Sequence, residues 1–305
     1  MKNEFSRKEN VKVSNVVIKE TEYIKVEFHG FYFLVNEKTV KFAKDLDKVI
    51  DIFNKGIENL DMIDRFMLLQ IYNVAYHDSG KIEGISSLDS SSTNCGFCEM
   101  MRETAKNNPL HICGYCYDYA QEHDYKGINV LNRHSLNLLI MSTIEFTREE
   151  LATLPGTQLI RINSSGDTQN FIYACNMINY IWAHPYTKTA YWAKNVIPVI
   201  QACDKYGKPK NVKLVQSSPI IGHTAKLAKY FDYVFTVYVT KEDVKKAVEN
   251  GAMECNGKKC ADCGYKCYLG LWENGANIAE FLRIKKADRE SIIKYRNEVE
   301  VKNIA

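Results

Sequence analysis

The sequence predicts an α/β fold: a run of βα units on a mostly parallel sheet, TIM-barrel-like and either complete or partial. Three observations carry this. From Leu159 onward, short apolar runs alternate with amphipathic segments at roughly 20–30-residue spacing, the rhythm of repeated βα units. The apolar runs are continuous rather than alternating, as strands buried on both faces must be. Each run ends in polar residues, where such sheets gather their chemistry. A closed barrel, a partial barrel and a doubly wound sheet all satisfy the pattern.

Taken in order, residues 11–35 read as a β-hairpin broken at His29-Gly30, rich in aromatic and β-branched residues. Val40, Leu46, Val49, Ile50 and Phe53 then fall on one helical face, and Met62 to Ala75 form a second amphipathic segment. Residues 1–79 are therefore expected to form an N-terminal α+β extension, with the βα domain over 80–305. Gly80 to Asn94 reads as a Ser-rich loop. Helices are expected from Tyr117 to about Asp124, over Asn132–Met141 and over Thr147–Leu154, the last opened by a Thr147/Glu150 capping box. Strands follow at Leu159–Asn163, Thr189–Ala193, Val212–Gln216 and Tyr233–Val239. Helices follow at Thr168–Trp182, Ile197–Lys205, Ile221–Phe231 and Lys241–Asn250.

The 305-residue chain carries a net charge of only +3, so no global basic field announces nucleic acid or a membrane surface. Basic runs at Lys205–Lys213 and Arg283–Lys286 leave nucleic acid as a local partner; solvated faces explain them equally. No apolar stretch approaches the roughly 18 residues that span a bilayer. The first ten residues lack the apolar core of an export signal. The expectation is a cytoplasmic protein, and clustered thiols in a reducing compartment bind metal more often than they form disulfides.

Eight of the ten cysteines lie in two short clusters. Cys95-Gly-Phe-Cys98 and Cys113-Gly-Tyr-Cys116 are separated by fourteen residues, one short of the usual two-knuckle zinc spacing. A thiolate pair two residues apart chelates one ion, and a second pair completes a four-sulfur shell. Cys255, Cys260, Cys263 and Cys267 repeat the chemistry near the other end, with Lys258, Lys259 and Lys266 to offset thiolate charge. Zinc and iron–sulfur both accept four thiolates, and both clusters could serve one shared site. His111 is a substitute ligand or a surface residue. Cys175 and Cys203, within apolar helices, read as core thiols.

The first βα strand runs into Arg161-Ile-Asn163-Ser164-Ser165-Gly166-Asp167, the third into Gln216-Ser217-Ser218-Pro219, and the second lies between Lys188 and Lys194-Asn195. Asp167 is the favoured acid/base or ligand carboxylate, with helix capping the bland alternative. Arg161, Asn163 and Lys188 would support anionic groups. Ser165, Gly166, Ser217 and Ser218 are candidates for cofactor contacts, capping again the alternative for the serines.

Gly80-Lys81-Ile-Glu-Gly-Ile-Ser, the cysteines ending in Cys116-Tyr117, Asn132-Arg133, the Arg161-x-Asn-Ser-Ser-Gly166-Asp167 strand end and Cys260-Ala-Asp-Cys263-Gly together resemble the phage gene product 88-like family. The resemblance spans about residues 80–268 and implies a bacteriophage-type protein in the host cytoplasm. The layout is similar, more distantly, to radical S-adenosylmethionine enzymes, whose cysteines precede a βα barrel. That likeness implies an iron–sulfur cluster with S-adenosylmethionine as cofactor. The sequence departs from it by lacking Cys-x3-Cys-x2-Cys; Cys260, Cys263 and Cys267 carry those spacings reversed, with Cys255 as a fourth ligand that would close the site.

The expected function is that of a cysteine-ligated metalloprotein, iron–sulfur or zinc. It is expected to be an enzyme acting on a small or nucleotide-like substrate at the strand ends. A zinc-stapled, non-catalytic binding protein for nucleic acid or a host protein is the alternative.

Overall fold

The computed structural model describes residues 1–125, 127–255 and 259–304, with side chains left undescribed at 124, 125 and 300–304. Lys258, one of the three charge-offsetting lysines expected beside the second cluster, lies outside them.

Alternating apolar residues and two tight turns make a three-stranded antiparallel sheet of β1 (Val11–Ile18), β2 (Thr21–Phe28) and β3 (Phe31–Val35). It is a meander rather than a single hairpin. The left-handed positions at Lys19, Glu20, His29 and Gly30 allow both reversals. Helices Val40–Phe53 and Met62–Ile71 follow, as their periodicity demands. Asn132, on helix Ile128–Thr143, locks this layer to the rest. Its side-chain amide donates to the Leu34 carbonyl at 2.7 Å and accepts from the Leu34 amide at 2.9 Å. One apolar core then runs without interruption from Phe5 through the N-terminal layer to the helices of the second half.

The large sheet has eight strands: β4 (Ala75–Tyr76), β5 (Ser86–Leu88), β6 (Leu159–Ile162), β7 (Lys188–Ala193), β8 (Val212–Ser217), β9 (Tyr233–Tyr238), β10 (Met253–Cys255) and β11 (Asn277–Phe281). Their order is β10-β11-β9-β8-β7-β6-β5-β4, parallel throughout except for the β4–β5 pair. Among the described residues β4 and β10 each have one neighbour, so the ladder is open. The sequential run from β5 to β9 puts right-handed crossovers on one face. There Ile160, Ile162, Tyr191, Ala193 and Leu214 pack against helices Phe171–Ala183 and Val196–Tyr206. On the opposite face, Ala190, Trp192, Val215 and Tyr233 meet the C-terminal cysteine segment, whose short helix Lys266–Leu269 lies across β7 and β8.

Three expectations need correction. Residues 80–94 are not simply loop: Ser86, Ser87, Ser90, Ser91 and Ser92 are buried, and β5 is the first parallel strand. The expected helix Ile221–Phe231 is absent. Ser218, Ile221 and Gly222 spend their amides on Phe235, Leu110 and Val237 carbonyls, and Ala228 donates to the Gln216 side chain. Of these donors only Ala228 would belong to the i→i−4 ladder, since the first amides of a helix have no partner in it, and the chain crosses from β8 to β9 without a helix. The next helix begins at Phe171 and not Thr168, because Asn170 caps it by accepting from the Tyr173 amide at 2.9 Å. The capping box Thr147/Glu150 forms as expected, on helix Arg148–Leu151.

Candidate functional site

The C-terminal ends of β5, β6 and β7 converge on a buried polar knot. Asp89, just past β5, accepts from Ser87 Oγ at 2.5 Å, Ser164 Oγ at 2.6 Å and the Ser165 amide at 2.9 Å. Asn163 takes a left-handed φ of 59°, accepts from Tyr173 OH at 2.8 Å and donates to the Trp192 carbonyl at 2.9 Å. Asp167 accepts from the amides of Thr168 at 2.7 Å, Lys194 at 3.0 Å and Asn195 at 3.3 Å, and its Oδ2 lies 3.9 Å from Lys194 Nζ. Burial pushes the Asp167 carboxyl above the usual carboxylate value, against the pull of Lys194 and those amides. Its lone pairs are thus directed at the end of β7, where Lys194 and the N-cap residue Asn195 lead into helix Val196–Tyr206, and not at the first turn of the helix that follows it, Phe171–Ala183. The capping alternative gives way to a clamp that joins two strand ends.

The first cysteine set lies over this knot. Helix Gly96–Lys106 starts with Cys95 as N-cap, whose Sγ accepts from the Cys98 amide at 3.3 Å. The turn carrying Cys113 and Cys116 hangs over β8, with the Ile112 amide on the Pro219 carbonyl. Burial holds the Lys194 ammonium down, but the sulfur of Cys113, the Asp167 carboxylate and the sulfurs of Cys116 and Cys98 outweigh it and raise Lys194 above the lysine range. Contact with Cys95 pushes the Cys98 thiol well up; burial pushes Cys113 up and Cys116 to about 12. His111 is buried, not on the surface, and its Nδ1 accepts from the Cys113 amide at 3.3 Å. That nitrogen shapes the turn.

Below, a carboxylate missed in the sequence holds the approach to Cys95. Glu122 is fully buried and accepts from the Ser92 amide at 3.1 Å, Ser92 Oγ at 2.9 Å, the Thr93 amide at 2.9 Å and Thr93 Oγ1 at 2.5 Å. His134 Nδ1 lies 3.6 Å away. Burial opposes ionisation, yet His134 and the Thr93 and Ser92 donors prevail, so Glu122 titrates below the usual value. A glutamate among ordinary helix residues carries no sequence signal for this role.

The second cysteine set lies on the inner face of the sheet. Cys255, Cys260, Cys263 and Cys267 line one cavity of about 30 Å³ with Lys81, Arg161, Trp192 and Tyr268. Burial pushes Cys260 up and Cys267 to about 12, with Arg161 opposing in both. Arg161 stacks over the Trp192 ring at 4.5 Å. Its Nε, like Trp192 Nε1, is buried without a hydrogen-bond partner among the described residues. A buried donor left so costs about 1–3 kcal/mol. Lys81 and Lys259 pair with Glu280 and Glu83 at 2.6 and 2.5 Å.

The structure therefore brings Asn163, Ser165, Gly166 and Asp167 together with Lys194 at the strand ends, but turns Arg161 toward the second cysteine set. Lys188 does not join them. It is exposed at the start of β7, roughly 20 Å of extended chain from Lys194. Ser217 ends β8, and Ser218 donates its hydroxyl to the His223 carbonyl, tying a turn without capping a helix. Cys175 and Cys203 are buried core thiols, pushed to about 12 and about 11 by burial.

No disulfide joins the described cysteines. Among the described residues, no three His, Cys, Asp or Glu side chains stand closely enough to hold an ion as placed. None of the helices searched there is long and apolar enough to cross a membrane. No family model, curated protein or solved structure matches the chain.

Proposed function

We propose that this chain is a cysteine-ligated metalloenzyme of the phage gene product 88-like kind. In this reading the open sheet is part of a βα barrel and a small anionic or nucleotide-like substrate binds at its strand ends. One observation carries the reading. Two cysteine sets about 150 residues apart in sequence meet one sheet, each beside its own cation: Lys194, just past β7, for the first set, and Arg161, on β6, for the second. Thiolates bound to metal carry net negative charge, and a cation fixed beside them offsets it. The inner-cavity donors that have no partner among the described residues fit a bound group that accepts from them.

Cys95, Cys98, Cys113 and Cys116 would hold one centre, and Cys255, Cys260, Cys263 and Cys267 the other. Such a centre would supply Lewis-acid chemistry if zinc, or electron transfer if iron–sulfur. The chain's own residues do the rest. Asp167 holds the Lys194 backbone with its carboxylate, and the ammonium then faces the mouth as a fixed charge for an anionic substrate. Asp89 and Asn163 keep the strand-end loop rigid beneath it. The raised thiols must lose protons on metal binding, so uptake strengthens with rising pH.

The test is metal content with a visible spectrum, on protein purified without oxygen. Iron with broad visible absorption is the expected result and leads to assays of S-adenosylmethionine binding. Colourless protein with one or two zincs retires the redox chemistry and leaves the zinc-stapled binder. Metal-free protein overturns the proposal.

A further inference from the structure

The inner cavity has two walls of different chemistry. One wall is the C-terminal segment with its four cysteines; the other is the face of β6 and β7, which presents Arg161 and Trp192. Both of these donors are fixed. The guanidinium stacks on the indole at 4.5 Å, and the indole meets Phe235 edge-on at 4.8 Å. An indole N–H and a guanidinium Nε–H can only donate. Both are buried on the sheet side of the cavity and have no hydrogen-bond partner among the described residues. A lone zinc adds no acceptor beyond its four thiolate sulfurs, which close on it at about 2.3 Å. An iron–sulfur cluster would add sulfide sulfurs of its own, which fill more of the space between the walls and accept hydrogen bonds from the sheet side.

Resting on the metalloprotein reading above, we propose that Cys255, Cys260, Cys263 and Cys267 hold an iron–sulfur cluster and not zinc. Arg161 Nε and Trp192 Nε1 donate hydrogen bonds to its sulfur atoms from the sheet side. These two are positioning and tuning residues, not ligands. Hydrogen bonds to cluster sulfur favour the more negative reduced state and so raise the reduction potential.

The experiment uses the full chain, reconstituted without oxygen with ferrous iron and sulfide. Iron, acid-labile sulfide, zinc and the visible spectrum are measured, followed by a potentiometric titration. A chain carrying Cys113→Ala and Cys116→Ala leaves only the inner set intact. It is expected to keep sulfide and colour, and to lose both when Cys263→Ala and Cys267→Ala are added. Should that background not fold, Cys263→Ala/Cys267→Ala alone answers the same question, with sulfide per chain expected to fall below that of the unaltered protein. Trp192→Phe keeps an aromatic face beneath Arg161 and removes the N–H together with the five-membered ring that bears it. Iron and sulfide should stay constant while the potential moves more negative. An unchanged potential overturns the donor assignment. Stoichiometric zinc without sulfide on the inner set overturns the cluster and leaves the metalloprotein reading standing. No metal on either set overturns both.

Discussion

Gly166→Ala tests whether the strand-end loop is built by backbone approach. Gly166 has φ +77°, a left-handed conformation that costs a residue with a side chain about 1–3 kcal/mol. A Cβ there would stand 2.8 Å from the Ser90 carbonyl carbon, and closer still to Ser90 O and Oγ. The neighbour cannot retreat easily. The Ser90 amide donates to the Ser165 carbonyl at 3.2 Å, and the adjacent Asp89 holds Ser164 and Ser165. Overpacking of such a site adds about 1–3 kcal/mol. The expected loss is therefore about 2–6 kcal/mol in reversible urea or guanidinium unfolding, read as a lower midpoint with unchanged slope. Ser90→Gly in the same chain removes Oγ but leaves the carbonyl, so it should restore less than half. A loss under about 1 kcal/mol, or full rescue by Ser90→Gly, would refute the reasoning and return Gly166 to the cofactor contacts.

Asp167→Asn places an NH2 among three backbone N–H donors and should cost about 2–4 kcal/mol of unfolding free energy. Full stability with lost substrate binding would mean that Asp167 acts on ligand and not as a clamp. Glu122→Gln forces the same donor–donor conflict on Ser92 and Thr93. It is expected to destabilise by about 2–4 kcal/mol and to loosen Cys95, read as faster alkylation by a thiol reagent; an unchanged rate would separate the carboxylate from the cysteine turn. Arg65 donates to Glu150 at 2.5 and 2.9 Å; burial raises this carboxyl, but Arg65 and the Thr147 amide outweigh it and lower its pKa. A lowered folded value means the stabilisation is complete above the ordinary glutamate range and fades as pH falls through the folded value. Glu150→Gln should cost about 1–3 kcal/mol near neutrality and converge with the unaltered chain in strong acid; parallel stability–pH curves would contradict this.

The strands with continuous apolar runs were legible because burial on both faces leaves little choice of residue: β6 to β9 fall within about two residues of expectation. β5 was hidden because its residues, Ser86-Ser87-Leu88, match a loop by composition. Its serines are buried, and the Ser87 hydroxyl is satisfied by Asp89 and His77, a tertiary fact. The short β10 and β11 gave no signal, since three and five residues among cysteines and glycines set no period. The cysteines announced their pairing by spacing, and Asn163 and Asp167 announced the strand end. Arg161 was placed correctly on its strand but on the wrong errand. Alternation along β6 sends residue 161 to the inner face, and which ligand waits there depends on a segment about 100 residues later. Lys188 failed because proximity in sequence to a strand does not say which end of it faces the site.

Strand faces and strand ends together explain how one sheet meets two cysteine sets. Arg161 on β6 and Trp192 on β7 line the inner cavity, whereas Asn163 and Lys194 stand just past the ends of those strands. The first pair belongs to a lower storey and the second to the mouth. The sets are adjacent storeys on one wall, joined where the Asn163 side chain bonds the Trp192 carbonyl. The topology accounts for where each set enters. The segment between β5 and β6 emerges at the C-terminal ends of the strands and drops its cysteines onto the mouth. The segment after β10 passes beneath the sheet before β11 inserts between β10 and β9. A perturbation confined to Trp192 Nε1 therefore reaches only the lower storey, whereas breaking the Asn163 bond reaches both. If both cysteine sets hold metal as proposed, Asn163→Ala should shift the properties of the two sites together, and Trp192→Phe those of the inner one alone.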